Sequence, residues 1–307
     1  MILIINIIFP IFGVIGLGYL LKRKNFLTQE SINVMNRLLY FFGLPALIFL
    51  SIVQFEFDKV FNLASVTGII ITTVLTCILA WACSGFIKIN AQRGSFILGC
   101  FRTNMAYVGF PIITNLYGNL GLAKAAIIGG AFAIVAVILS VIILEYYRPQ
   151  GKQEKNTLSL LKSIIYNPLI VSSVAGLIFA VLGIKLPSVF SKFLDLLSKM
   201  SLPMALLSVG ASITFTSIVN NLNLQTIIIF VKLIFMPIIA LMIYTFLIPT
   251  TLLDLKIGVL IIAMPTAVSS FVMVKEMEGD YDMMANTITL TAIASMFTLS
   301  FWLLILK

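Results

Sequence analysis

Apolar residues run along the chain in blocks of about twenty, separated by short charged or turn-rich breaks. A helix needs about 20 mostly apolar residues to cross a hydrocarbon core. Read block by block, the pattern predicts ten such helices, at roughly 2–21, 34–53, 62–87, 94–117, 122–146, 163–182, 192–213, 223–247, 254–274 and 283–306. The first block ends at Lys22–Arg23–Lys24 without a small-residue cleavage site, so it is expected to stay in place as a span. The longest break, Tyr147 to Leu161, is too short for a soluble domain. The expected fold class is therefore an all-α integral membrane protein. Five spans at 1–146 and five at 162–307 are joined by a cytoplasmic linker at 147–161.

Composition agrees with the pattern and narrows the chemistry. Of 307 residues, 61% are hydrophobic and 10% charged, and the mean hydropathy is +1.14. A soluble domain carries about 25% charged residues, and 20 basic and 11 acidic side chains cannot cover a surface of this size. A soluble enzyme and a disordered chain are excluded. The net charge of +9 is spread over loops with no basic tract, which argues against a nucleic-acid partner. There is no histidine, hence no His-based catalysis or His metal site, and no Walker A loop. Cys77, Cys83 and Cys100 lie in apolar runs and read as core residues. No cofactor is implied, and no metal.

Lys and Arg in short loops set the expected orientation. Odd-numbered loops carry Lys22, Arg23 and Lys24, then Lys88 and Arg93, then Arg148, Lys152, Lys155 and Lys162. The first two even-numbered loops offer only Lys59 and Lys124. Odd loops are thus expected in the cytoplasm and both termini outside, with the chain in the cell membrane.

The prolines point to an internal repeat. Pro10 and Pro168 are 158 positions apart, as are Pro45 and Pro203, and Pro111 and Pro265 are 154 apart. These fall in spans one, two and four of each half. A unit of five spans enters the membrane from opposite sides in its two copies, the inverted repeat typical of secondary transporters.

Spans four and nine hold the candidate chemistry. Span four contains Arg102–Thr103–Asn104, Tyr107 and Gly109–Phe110–Pro111, and span nine contains Pro265–Thr266 and Ser269–Ser270. A proline removes an N–H donor and clashes with the carbonyl four residues back, so breaks are expected near Gly109 and Pro111 and at Pro265. Freed backbone groups are tolerated in lipid only where protein or a wet cavity satisfies them. Half-helix N-termini at the breaks would present N–H donors to an anion. Asn104 offers a donor and an acceptor, and Thr103, Thr266, Ser269 and Ser270 offer hydroxyls.

Phe101–Arg102–Thr103–Asn104 with Gly109–Phe110–Pro111, Asn167–Pro168–Leu169–Ile170, Leu202–Pro203 through Ser212, and Met264–Pro265–Thr266–Ala267–Val268 follow one another along the whole chain. In these motifs the sequence resembles the auxin efflux carrier family, which includes plant PIN carriers and bacterial malate or malonate permeases. The resemblance implies spans one, two, six and seven as a scaffold and spans three to five and eight to ten as a moving domain. It also implies carboxylate recognition at crossed breaks, an elevator-like displacement and a homodimer through the scaffold. The long hydrophilic loop of the plant carriers is absent.

Three cations sit in or near spans. Arg102 lies about 12 Å into span four at helical rise, where it either faces a cavity as a functional charge or extends its stem to the interface. Lys199 shares a polar stripe with Lys192 and Asp195 and is expected at the outer surface, while Lys232 falls in the middle of span eight. No Asp or Glu occupies the centre of a span, so no buried carboxylate is expected to carry a proton. The expected function is export or exchange of small organic anions. The alternative is a sodium-coupled symporter of the bile-acid-transporter type, using carbonyls and hydroxyls for the ion. An intramembrane enzyme would need a catalytic pair, and none is visible.

Overall fold

The computed structural model describes residues 2–148, 166, 168–213 and 222–306. Most of the linker expected at 147–161 lies outside them, as does Asn167. Every element is helical, with no strand among the described residues. In chain order the helices are α1 (Ile2–Arg23), α2 (Gln29–Leu38), α3 (Leu44–Val53), α4 (Phe57–Val60), α5 (Leu63–Cys83), α6 (Asn90–Phe101) and α7 (Phe110–Tyr146). They continue with α8 (Pro168–Leu182), α9 (Ser188–Ser212), α10 (Leu222–Phe230), α11 (Met236–Met242), α12 (Leu252–Ala263), α13 (Ser269–Glu276) and α14 (Tyr281–Ile305). Wide π-helical turns at Leu39–Gly43, Met105–Gly109, Val231–Phe235 and Ile243–Leu247 link or extend several of them. Among the described residues, six helical segments are long and apolar enough to cross a membrane: Gln29–Val53, Phe57–Phe86, Asn90–Tyr146, Ser188–Ser212, Leu222–Leu247 and Tyr281–Ile305. Inside α7, Gly118 takes φ 63° and ψ −158°, a conformation a side chain would strain, and the helix is interrupted there.

The distribution of side chains suits a bilayer. Phe246 and Phe297, each 75% exposed, stand outward, while Thr72, Thr73 and Thr76 are buried and donate their hydroxyls to backbone carbonyls one turn back. Exposed apolar bodies and inward polar groups invert the soluble pattern, as lipid demands. Of the three cysteines, Cys77 and Cys100 are buried as expected; Cys83, at the end of α5, is exposed.

The chain divides into two compact units. The first comprises residues 1–63, 105–130 and 165–213. Its centre is the crossing of α1 and α9, where Gly18 meets the backbone of Leu207 and Gly210 meets the backbone carbonyl of Ile15; a Cβ at either position would overlap main chain. The Ser208 hydroxyl donates to the Asn36 side-chain carbonyl on α2. Helix α3 packs on α8, with Gly176 against Ile52 and the Phe49 and Phe179 rings edge to face at 5.3 Å. Pro10 and Pro203 sit inside unbroken helices, and Pro45 follows directly on the π turn Leu39–Gly43 in helical backbone that runs on from α2.

The second unit comprises residues 64–104, 131–164 and 214–307. Helix α14 packs against α6, α10, α12 and α13. Gln225 on α10 donates to the Met283 carbonyl at 3.0 Å and accepts from Thr287 at 2.9 Å. The Tyr244 ring fits between Gly68 of α5 and Gly258 of α12, and its hydroxyl donates to the Ser65 carbonyl at 2.8 Å. Asp254, fully buried in the first turn of α12, accepts from the Thr251 hydroxyl at 2.7 Å and donates its N–H back to it.

Candidate functional site

Two interruptions meet inside the second unit. Helix α6 ends at Phe101, and Arg102 turns extended with ψ 135°. Helix α12 ends at Ala263, Met264 turns extended with ψ 153°, and helix resumes at Ser269. The Asn104 N–H donates to the Pro265 carbonyl at 2.7 Å, joining one break directly to the other. Thr103 gives its hydroxyl hydrogen to the Ile261 carbonyl in the last turn of α12 at 2.6 Å, and Thr266 gives its own to the Gly99 carbonyl in the last turn of α6 at 2.9 Å. A helix end leaves its last four carbonyls without intrahelical partners, and here each break supplies a hydroxyl to the end of the other helix. Thr291 of α14 completes the arrangement by accepting the Thr266 N–H at 3.2 Å.

The first break lies elsewhere than the proline pattern implies. The chain leaves the helix at Arg102–Asn104, and Gly109 closes a π turn that runs straight into α7, with Pro111 the second residue of that helix. Pro111 therefore lies in helical backbone that starts at Met105, and the wide π turn just ahead of it is where the helix accommodates its missing N–H. Pro265, by contrast, lies in the non-helical stretch between α12 and α13. Pro111 thus follows an irregular turn in a continuing helix, while Pro265 lies in a fully unwound stretch. Thr103 and Thr266 also differ from expectation: both are buried and their hydroxyl hydrogens are given to helix ends, so they hold the breaks in place.

Arg102 does not extend along the helix. Its side chain is 7% exposed and aims at the second break, donating to the Ser269 hydroxyl at 2.9 Å and to the Ser270 hydroxyl at 3.4 Å. Asn104 is buried, and its side-chain amide has no hydrogen-bond partner among the described residues. Arg102, Asn104, Ser269 and Ser270 thus belong to one unit around the joined breaks. Tyr107, Gly109 and Pro111 belong to the other unit, with Tyr107 half-buried in the π turn. Lys199 lies on the surface of α9 and pairs with Asp195 at 2.6 Å. Lys232 is fully buried and donates to the Ile262 carbonyl at 2.9 Å. Neither Arg102 nor Lys232 has a carboxylate within ion-pair distance among the described residues. The pattern of the sequence gave Lys232 no role; its position in the middle of an apolar block was the one signal of it.

The model of the membrane transport protein family matches residues 3–303. This chain belongs to that family, the auxin efflux carriers. An uncharacterized transporter of Methanothermobacter thermautotrophicus is 22% identical over 94% of each chain. The uncharacterized transporter YfdV of Escherichia coli is 24% identical, over 66% of this chain and 67% of its own length. A Rhizobium meliloti protein whose name proposes it as a malonate transporter is 22% identical, over 68% of this chain and 67% of its own length. The carrier is a membrane transporter and not an enzyme.

Proposed function

We propose that the carrier moves small organic anions, carboxylates in particular, across the cell membrane, and that it grips them at the joined breaks. The observation that carries this reading is a charge imbalance. Arg102 and Lys232 place two cations in the interior of one unit with no carboxylate partner among the described residues. Uncompensated buried charge is costly, and an anionic cargo supplies the compensation while it is bound. The Asn104 amide and the Ser269 and Ser270 hydroxyls beside the Arg102 guanidinium fit a carboxylate that accepts several hydrogen bonds at once. The name of the Rhizobium relative points the same way.

The reading extends to the whole chain as two inverted five-helix repeats. Thr103 and Thr266 lie 163 positions apart and exchange caps, which two upside-down copies of one unit would do at their meeting point. The helices α1, α2, α3, α8 and α9, spans one, two, six and seven, form the scaffold and the dimer surface, and the joined breaks carry the cargo. Alternating access is then a displacement of one against the other, in an elevator-like manner. The basic odd loops face the cytoplasm and both termini face outward.

The test is a thermal-shift screen of the purified full chain with malonate, malate, acetate and neutral or cationic analogues, repeated on Asn104→Ala. Stabilisation by a carboxylate that disappears in the variant is the expected result. Stabilisation by neutral or cationic compounds alone would overturn the proposal.

A further inference from the structure

Lys232 lies outside the set of side chains around the Arg102 guanidinium, yet it is among the largest fully buried side chains of the protein. It stands in the π turn Val231–Phe235, between α10 and α11. Trp302 donates its indole N–H to the Leu233 carbonyl of that turn at 2.8 Å, fixing it from α14. From there the Lys232 ammonium reaches the Ile262 carbonyl, in the last turn of α12, three residues before Pro265. The neighbouring carbonyl, Ile261, is the one that Thr103 caps. The ammonium therefore sits at the negative pole of a half-helix that stops at the break, where a cation is favoured. In transporters with discontinuous helices, unwound carbonyls and half-helix C-termini are where free coupling cations are held. Here a cation already occupies such a pole, attached to the chain.

We infer that Lys232 is a resident cation: its ammonium supplies from within the protein the positive charge that fixes the broken end of α12, so that the carrier takes no free cation for this purpose. Lys232 is a positioning residue, acting through the Ile262 carbonyl on the break that presents Pro265 and Thr266. The consequence for cargo rests on the anion reading above; the geometry does not. An ammonium carries three N–H donors, and with a single carbonyl acceptor and no carboxylate among the described residues its charge is left to balance that of an anion.

Truncating Lys232 to Ala removes three methylenes and the ammonium, the equivalent of one n-propylammonium ion. The experiment compares the thermal midpoint of purified full-length wild type and Lys232→Ala in n-propylammonium chloride, choline chloride, or choline chloride with n-propanol, at equal ionic strength. The variant is expected to lose about 3 °C or more and to regain most of that loss in n-propylammonium alone, with wild type insensitive to the exchange. n-Propanol fills the same volume without charge, so equal recovery in propanol would reduce Lys232 to packing and overturn the inference, as would no loss, or no recovery in any of the three. Should Lys232→Ala fail to fold, Lys232→Met keeps the stem without the charge, and wild-type stability in that variant would likewise overturn it. A second arm measures the malonate-induced shift, expected to vanish in Lys232→Ala with choline and return with n-propylammonium. A wild type indifferent to malonate would count against the anion reading and leave the cation arms to decide on Lys232 alone.

Discussion

Thr103 and Thr266 cap each other's helices: Thr103 donates to Ile261 at the end of α12, and Thr266 donates to Gly99 at the end of α6. Each residue lies just past the end of one helix and satisfies the other, so neither break can be closed independently. Thr103→Val and Thr266→Val each remove a donor while keeping the shape. Each is expected to cost about 1 kcal/mol, visible as a small fall in thermal midpoint, with Thr→Ser at either position close to wild type. The double variant should lose less than the sum of the two, because the caps support one shared arrangement. Strict additivity would show the two breaks to be energetically separate.

Asn104 and Arg102 separate binding from folding. The Asn104 backbone N–H holds the Pro265 carbonyl, but its side-chain amide holds nothing among the described residues. Asn104→Ala is therefore expected to leave the thermal midpoint of the empty protein nearly unchanged while weakening carboxylate binding at least tenfold. Arg102→Gln keeps a hydrogen-bond donor toward Ser269 and Ser270 but deletes the charge. It should weaken a carboxylate more than a neutral analogue, and titration with a carboxylate and its amide checks the ratio. Equal losses for both would show that the guanidinium acts by shape alone.

How much of this was legible in the sequence depends on what each residue type reports. Ten apolar blocks are a strong periodic signal, and the membrane class and family follow from it and from the motifs around Asn104 and Pro265. The position of the first break was less accessible. A proline advertises a missing donor, yet at Pro111 the helix answers with the wide turn Met105–Gly109 and continues, and the full break lies ahead of it at Arg102–Asn104. What ends α6 at Phe101 is an exchange of hydrogen bonds with a segment some 160 residues away in the chain, and no local pattern encodes it. Lys232 was visible as a charge in an apolar block, but its carbonyl partner lies 30 residues downstream on another helix, beyond the reach of helical periodicity.

Gly210 and Gly18 test the packing of the first unit. A methyl group on Gly210 would overlap the Ile15 carbonyl, and one on Gly18 would overlap the Leu207 backbone. Main chain cannot swing aside as a side chain can, so α1 and α9 would have to separate. Gly210→Ala or Gly18→Ala should cost about 1–3 kcal/mol, and larger residues more. Both are expected to lower the yield of folded protein in a size-exclusion profile, while Gly13→Ala, where a Cβ meets nothing within 4 Å, should not.

Membrane potential provides the last prediction, because it follows from the charge of the cargo and from the cation that Lys232 supplies. A monovalent anion leaving a compartment held negative inside gains about 2.3 kcal/mol per 100 mV. That gain belongs to the cargo alone, and with Lys232 holding the broken end of α12 no sodium is required for the exit. In proteoliposomes loaded with a monocarboxylate that binds, efflux should rise when a potassium–valinomycin gradient makes the interior negative, and should be the same in sodium and choline media. A carboxylate whose net charge in transit is cancelled by a co-transported cation would show no response to the potential. Efflux that is insensitive to voltage yet dependent on sodium would therefore favour the symporter alternative, and would place a free cation where Lys232 is assigned the role.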